Sequence, residues 1–567
     1  MVTAAPARTR VVPLTLSRTA LSRVALVAFV GALCFLLLLP VYHLQKLALA
    51  DGARGYRTAF GSPSFPRVLA TTITLALASV ALAMVMGTAL AIAATRLPRR
   101  LRFLQVVPVL PIILPPVATV IGWGFLLSPV TGYINTWLRL LPWWSDRFQG
   151  PIDINSMTWI IIITGIALSA FVYLFVSGGI RNISSELVEA AQVCGSSYRG
   201  AVVHIVLPLL RPVLVYAFGV VLLLGLGQFT SPLLLGRQHG INVLSTEMYA
   251  RISGSPTDYG AAAALGSPLL VFGLAVVIFQ RFVLGDSRRF VTHGGKAFRS
   301  TQRPSVVGAV MIALYGIVAI VLPLLALLNT ALSKFWTGRI AASDWTLFSV
   351  RQALADSRLK DAVITSLVAS TVAVLISLPL GFVAASLLHR GSRFPFIRTA
   401  TDILVGIPLA VPAVVLGMGF LATYTTGPFV LYGTRWVIIL VYLSLMVPYT
   451  TRMQLSSMVA LGDAYTEASH VSGAGSLRTN ASITLPLLRP ALGGAAGLMF
   501  VLLAHEFSAS LLVRAPTTQV MGTLLFDYYS NGNYPWVATM ALIMALVTAV
   551  GITFAVLLGG RRVFDRM

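Results

Sequence analysis

The sequence predicts an all-α membrane protein: about twelve transmembrane helices in two homologous six-helix halves. Three observations predict it. Of 567 residues, 57% are hydrophobic and only 10% charged, where soluble domains carry roughly 25% charged residues. Apolar runs of about 20 residues, the length that crosses a bilayer, recur along the chain. A polar stretch between such runs occurs twice in register, as Ser185 to Pro212 and, 278 residues on, Asp463 to Pro490.

The apolar runs place helices near 22–48, 68–95, 104–128, 157–178, 212–235 and 262–284. They resume near 306–332, 361–388, 399–424, 435–455, 490–513 and 536–560. The expected organisation is a cytosolic N-terminal tail (1–21), a first half (22–284), a basic cytosolic linker (285–305), a second half (306–560) and a cytosolic C-terminal tail (561–567). Arg8, Arg10, Arg18 and Arg23 precede the first run. That run is too long for a signal-peptide core and lacks a small-x-small exit, so a retained helix is expected. Outer turns are expected at Asp51-Gly52, Gly61-Ser62-Pro63 and Gly254-Ser255-Pro256. Prolines cluster in the third helices, as Pro108, Pro111, Pro115 and Pro116 and as Pro408 and Pro412. Neighbours must satisfy the backbone that such prolines free. Kinked packing helices and a flexing element both fit the pattern.

The repeat extends beyond the polar stretch. Gly87 and Arg96 answer Gly381 and Arg390 at a spacing of 294, and Gly122, Gly124 and Phe125 answer Gly417, Gly419 and Phe420 at 295. The spacing of 278 downstream gives the first half a longer loop at about 129–156. An even number of helices per half makes the halves parallel repeats about an axis along the membrane normal. A route between them is expected.

A net charge of +24 would point to nucleic acid in a soluble chain. Here the basic residues punctuate apolar runs and act as topology signals, so no nucleic-acid partner is expected. The short loop 96–102 holds Arg96, Arg99, Arg100 and Arg102 and no acid. Placing it in the cytosol puts both polar repeats there too, along with both termini. Trp143, Trp144, Trp336 and Trp345 then face out, as an interfacial belt or as partner contacts.

Both polar repeats read E-A-[AS]-x3-G-x9-I-x-L-P. Each predicts two short helices joined at a glycine. Ser185 and Asp463 are expected N-caps. Glu186, Glu189 and Glu467 suit the positive end of a helix dipole. Gly195 and Gly473 permit a left-handed turn. Pro208 and Pro486 are expected to break the second helix before the next apolar run.

This pattern resembles the EAA loop in the membrane subunits of binding-protein-dependent ABC importers. The resemblance implies coupling helices that dock in a groove on a cytoplasmic ATPase subunit. It assigns that contact to Glu189, Ala190, Ala191, Gly195, Ile205 and Pro208, and to Glu467, Ala468, Ser469, Gly473, Ile483 and Pro486. Ser469 departs from the second alanine of the motif. The resemblance further implies two copies of an ABC ATPase subunit and an extracytoplasmic substrate-binding protein as partners, in a bacterial cytoplasmic (inner) membrane. ATP and magnesium would act on the partner ATPase, with no cofactor in this chain.

No catalytic or metal site is expected. Gly294-Gly295-Lys296-Ala297 lacks the upstream glycine and the hydroxyl residue of a P-loop. His505-Glu506 opens like a zinc-protease motif but lacks the second histidine. Seven histidines are scattered without ligand spacing. Cys34 and Cys194 fall in different compartments and should not pair.

One polar feature stands inside an apolar run. Glu506, beside His505, has Gln228 as its repeat mate. Ionisable groups in membrane helices are costly and face cavities or pathways. Gln228, Phe229, His505, Glu506 and Phe507 are therefore expected to line or gate the route, with Gln228 and Glu506 facing each other. The alternative puts Glu506 at the outer end of its helix, solvated or bonded to His505.

Fused double-length permeases of this kind most resemble ferric-iron importers. Phe229 to Gly236 and Glu506 to Val513 also sit within a wider group that takes thiamine, polyamines, phosphonates, sulfate or molybdate. Ferric iron is the expected substrate. A secondary transporter driven by an ion gradient would also use repeats and midplane polar residues. Neither it nor a membrane scaffold or receptor has a use for duplicated cytosolic coupling loops.

Overall fold

A computed structural model describes residues 18–284, 304–390 and 395–559. The expected C-terminal tail, nearly all of the linker and most of the N-terminal tail lie outside the described residues. The first span combines α1 (Arg18–Leu37) and α2 (Leu39–Phe60), so helix begins within the expected tail. The second is α3 (Phe65–Ala94), and the third joins α4 (Arg99–Ile113) to α5 (Pro116–Leu127). The fourth is α6 (Met157–Arg181). A short helix α7 (Ser185–Val193) precedes the fifth span, α8 (Tyr198–Leu209) plus α9 (Arg211–Leu226). Then come the short α10 (Leu244–Ser253) and the sixth span, α11 (Tyr259–Leu284).

The second half repeats the order: α12 (Val306–Ala331), a short α13 (Phe348–Ala355), α14 (Ser357–Arg390), α15 (Pro395–Ala410) with α16 (Ala413–Tyr424), and α17 (Arg435–Leu461). It closes with α18 (Ala464–Val471), α19 (Leu477–Ala504), α20 (Met521–Ser530) and α21 (Tyr534–Gly559). Eight helices among the described residues are long and apolar enough to cross a membrane alone, and four bent pairs complete twelve crossings. The expected two-by-six architecture is therefore the observed one.

Small residues set the packing within each half. A Cβ at Gly87 on α3 would sit 2.6 Å from the Ser169 carbonyl oxygen of α6. Its repeat mate Gly381 on α14 meets Thr450 of α17, with Oγ1 at 2.8 Å from such a Cβ. Close backbone approach of this kind is what holds membrane helices together, because lipid supplies no hydrophobic drive. A second matched contact anchors the short helices. Thr72 Oγ1 accepts from Leu244 N at 2.9 Å, and Ser366 Oγ accepts from Met521 N at 2.8 Å. Each bond satisfies a first-turn N–H that its own helix leaves unpaired.

The first helices cross over. The α2 helix packs along α11 of its own half and α16 of the other; α12 packs along α21 and α5. Gly419 admits the Pro40 carbonyl and Gly122 admits the Pro323 carbonyl, each oxygen 2.7 Å from where a Cβ would stand. Trp336 adds to this seam by packing on Phe125 and Tyr534 at ring separations of 4.8 and 5.0 Å. It serves packing, unlike the exposed Trp143.

The proline clusters break the third spans outright. Between α4 and α5 the chain turns by 96°, and between α15 and α16 by 108°. Leu114 and Pro115 are extended, with ψ of 138° and 123°, because each precedes a proline that disfavours its helical conformation. Helix restarts when Thr119 N donates to Pro115 O at 3.0 Å and Leu416 N donates to Pro412 O at 3.1 Å. The expected turn at Asp51-Gly52 is a left-handed run from Asp51 to Ala53, closed by Arg57 Nη2 on Gly52 O at 2.8 Å.

Two expectations need correction. The fifth helices start and stop earlier than the apolar runs at 212–235 and 490–513, ending at Leu226 and Ala504. Pro486 does not break its helix, whereas in the first half the break falls just after Pro208, before the next apolar run. Each follows a five-residue π turn, Val202–Val206 or Asn480–Thr484, and sits in the first turn of resumed α-helix, where its missing N–H costs least. Beyond Pro486 the helix runs on to Ala504. In the first half a 68° bend falls between Leu209 and Arg211.

Valine at Gly87 or at Gly381 is expected to destabilise the protein by about 1–3 kcal/mol through overpacking. Thermal unfolding in detergent, followed by tryptophan fluorescence, checks this. An unchanged midpoint in both variants would contradict the close approach.

Candidate functional site: two matched loops and an aromatic contact between the halves

The polar repeats build two loops of one design. Ser184, rather than Ser185, caps α7 by accepting from Glu186 N at 3.3 Å. Asp463 occupies the cap position of α18, but its carboxylate takes His389 Nε2 at 3.1 Å instead. Gly195 and Gly473 have φ of +88° and +82°, the left-handed region expected of them. The turns close alike, with Ser196 N on Ala191 O at 2.9 Å and Ala474 N on Ser469 O at 3.1 Å. Ile205 and Ile483, half-buried, fall in the two π turns.

Ser469 has a local explanation. Its Oγ lies 2.9 Å from Thr479 Oγ1, whereas the first copy has Ala191 and Ala201 at the matching places. A hydroxyl pair replaces a methyl pair, so the loop keeps its shape. Ala190, Glu467 and Ala468 are exposed and Glu189 is half-buried. Val193 and Val471, also repeat mates, are 88% and 90% exposed. Matched apolar side chains left in the open on two equivalent loops mark a docking face.

Both loops are tied to the ends of the second spans. The Arg96 guanidinium lies 4.6 Å over the Tyr198 ring, and Thr95 Oγ1 is 3.4 Å from Tyr198 Oη. In the second half the tie is His389 to Asp463. Ser305 N also donates to Arg96 O at 2.8 Å, which puts the start of the second half at this same pole.

At the far end of the fifth spans the halves meet. Gln228-Phe229 and Glu506-Phe507 lie in the breaks that follow α9 and α19. The rings of Phe229 and Phe507 are buried, 5.7 Å apart and tilted by 31°. Tyr249 of α10 meets Phe229 at 6.0 Å, and Phe526 of α20 meets Phe507 at 5.8 Å. Tyr249 and Phe526 close the circuit at 6.1 Å. All four separations lie in the range of favourable aromatic pairs. Because Phe229/Phe507 and Tyr249/Phe526 are both pairs of repeat mates, the cluster straddles the axis between the halves. Sequence reasoning missed Tyr249 and Phe526. The signal lay in the matched segments Val243 to Tyr249 and Val520 to Phe526, each stapled at its start by a threonine, Thr246 or Thr523.

Gln228 and Glu506, the repeat mates, are held differently. The Glu506 carboxylate accepts from Ala509 N at 2.7 Å, from Ser510 N at 2.9 Å and from the Ser510 hydroxyl. It caps the short helix Ser510–Val513, and Ser510 Oγ in turn meets Tyr442 Oη at 3.1 Å. The first half has Pro232 where the second has Ser510. Proline brings no N–H, so no acceptor is needed there. Gln228 instead receives Ser245 Oγ on its backbone carbonyl. His505 is buried at the end of α19 and is not the partner of Glu506.

Broken helices, parallel repeats and paired loops define a membrane transport component. Residues 83–289 and 377–562 each match the family described as binding-protein-dependent transport system inner membrane component. The chain belongs to that family and carries its domain twice, as a multi-pass inner-membrane permease. It is similar to the ferric transport system permease protein FbpB of Actinobacillus pleuropneumoniae, 27% identical over 84% of this chain and 69% of that one. A putative ferric transport system permease protein, FbpB 1 of Haemophilus influenzae, is 27% identical over 77% of this chain and 68% of its own length. The putative 2-aminoethylphosphonate transport system permease protein PhnV of Salmonella typhimurium is 26% identical, over 41% of this chain and 86% of its own length.

Replacing Phe229 and Phe507 together by alanine is expected to open the contact between the halves. Apolar constrictions close by excluding water, and efflux of trapped radiolabelled glycine from liposomes holding the permease should rise about tenfold or more without ATP. Leucine at both positions should keep the barrier. Alanine liposomes as tight as wild type would place closure elsewhere.

Proposed function

We propose that this chain supplies both membrane halves of an ATP-driven importer that receives ferric iron from an extracytoplasmic binding protein and releases it into the cytoplasm. The observation that carries the reading is the pair of matched loops at one pole, each presenting an exposed valine beside a left-handed glycine. Two halves, 22–284 and 306–560, supply two docking places, so two copies of one ATPase subunit suffice. ATP and magnesium act on those subunits. The loop-bearing pole faces the cytosol, together with both termini, in keeping with the arginines of segment 96–102 and the positive-inside rule.

The mechanism follows from the geometry. Closure of the ATPase dimer moves α7 and α18, and the ties at Tyr198 and Asp463 pass that motion to α3 and α14. The halves then rock about the seam of the crossing first helices, and the aromatic contact parts to admit substrate. Nucleotide shifts this equilibrium only through its different affinity for the two states. Ferric iron is favoured because the ferric relatives align over most of the chain. A phosphonate is the second reading, supported by the likeness of one half to a phosphonate permease.

Two measurements check this. Valine at both Gly195 and Gly473 would force β-branched side chains into left-handed backbone at about 1–2 kcal/mol each, and should abolish co-purification of the ATPase while leaving permease levels intact. Retained ATPase would remove the coupling role of the loops. Deletion of the gene should abolish uptake of radiolabelled ferric iron, uncompeted by thiamine, spermidine or 2-aminoethylphosphonate. Unchanged iron uptake with lost phosphonate uptake would move the substrate to the second reading.

A further inference from the structure

The aromatic contact has an asymmetric charged rim. It lies on the side away from the coupling loops, since the 16 residues of α9 carry the chain about 24 Å from that pole. In the second half Arg514 is fully engaged. Its Nη1 donates to Asp527 Oδ1 at 2.6 Å and to Thr523 O at 3.1 Å, and Asp527 also receives Gln519 Nε2 at 2.6 Å.

The first half repeats the cation and omits the anion. Repeat spacing falls from 278 at Phe229/Phe507 to 277 at Val243/Val520, which makes Arg237 the mate of Arg514 and Ala250 the mate of Asp527. Arg237 lies 5.4 Å over the ring of Tyr249 and is partly exposed. The acid on the same short helix, Glu247, is bonded to Arg251 at 3.1 Å. Among the described residues no carboxylate pairs with Arg237. The Arg237 guanidinium thus stands without an acid over Tyr249, whose ring packs on the buried Phe229 and on Phe526.

We infer that this mouth receives a substrate bearing an anionic oxygen group, and that Arg237 is the residue that meets it. Carboxylate, phosphate and phosphonate share the chemistry: paired oxygens that match the planar fork of a guanidinium. The group is either free or part of the ligand shell of a ferric ion. The aromatic floor around a lone cation lowers the local dielectric and strengthens such a pairing. The inference rests on the permease reading but does not depend on iron.

The test has two arms. In cells, Arg237→Gln should lower uptake of the native substrate by about tenfold or more and Arg237→Glu should lower it further, with permease level and ATPase co-purification unchanged. Uptake is followed with ferric citrate, 2-aminoethylphosphonate, thiamine and spermidine. Loss confined to ferric citrate or to the phosphonate supports the inference and tells the two sources apart. A wild-type protein that moves only thiamine or spermidine overturns it and leaves the permease reading intact.

In the second arm the purified permease–ATPase complex is titrated with citrate and with inorganic phosphate while thermal unfolding is followed. The wild-type midpoint should rise with anion, and Arg237→Gln should stay flat. Equal rises in both proteins overturn the inference, as does Arg237→Gln acting only by abolishing stimulation of the ATPase by the binding protein.

Discussion

Unsatisfied backbone is not tolerated in lipid, and this chain interrupts its membrane helices at several places, among them two matched pairs of breaks. Each interruption has its own remedy. At Pro115 and Pro412 helix restarts on the proline carbonyls themselves. After Phe229 the next helix starts on Pro232, which has no N–H to satisfy. After Phe507 the corresponding N–H groups exist, and Glu506 accepts them. The carboxylate that looks like a pathway residue is thus first a structural answer to a serine.

The crossing first helices make the two halves one body. Because α2 lies on α16 and α12 on α5, neither half can separate from the other. The glycines at 122 and 419 allow that seam to be close, and the aromatic circuit lies beyond it at the same axis.

Duplication followed by divergence has been conservative in pairs. Ala191 and Ala201 became Ser469 and Thr479 together, and Pro232 with Gln228 became Ser510 with Glu506. Buried polar groups are costly unless partnered, so one change called for the other. The rim of the aromatic contact breaks this habit: Arg514 bonds to Asp527, whereas the first half has Ala250 at the place of Asp527 and, among the described residues, no carboxylate paired with Arg237. An uncompensated charge at a symmetric position points to something outside the chain that compensates it.

The sequence by itself determined the architecture. Bilayer thickness sets the length of each apolar run, and a repeat at fixed spacing shows as a pattern of letters, so twelve crossings, two halves and two coupling loops with left-handed glycines at 195 and 473 were legible. What stayed hidden depends on where helices end within continuous apolar stretches. Nothing in the run 490–513 marks Ala504 as a terminus, because the break is stabilised by Glu506 folding back on its own backbone. For the same reason Phe229 was legible but Tyr249 was not, being brought to it by a short helix anchored on Thr72, 177 residues earlier. Only the tertiary structure decided which rings meet, that the first helices cross between halves, and which arginine is left without an acid. Those facts are relations between distant segments, and local sequence carries no term for them.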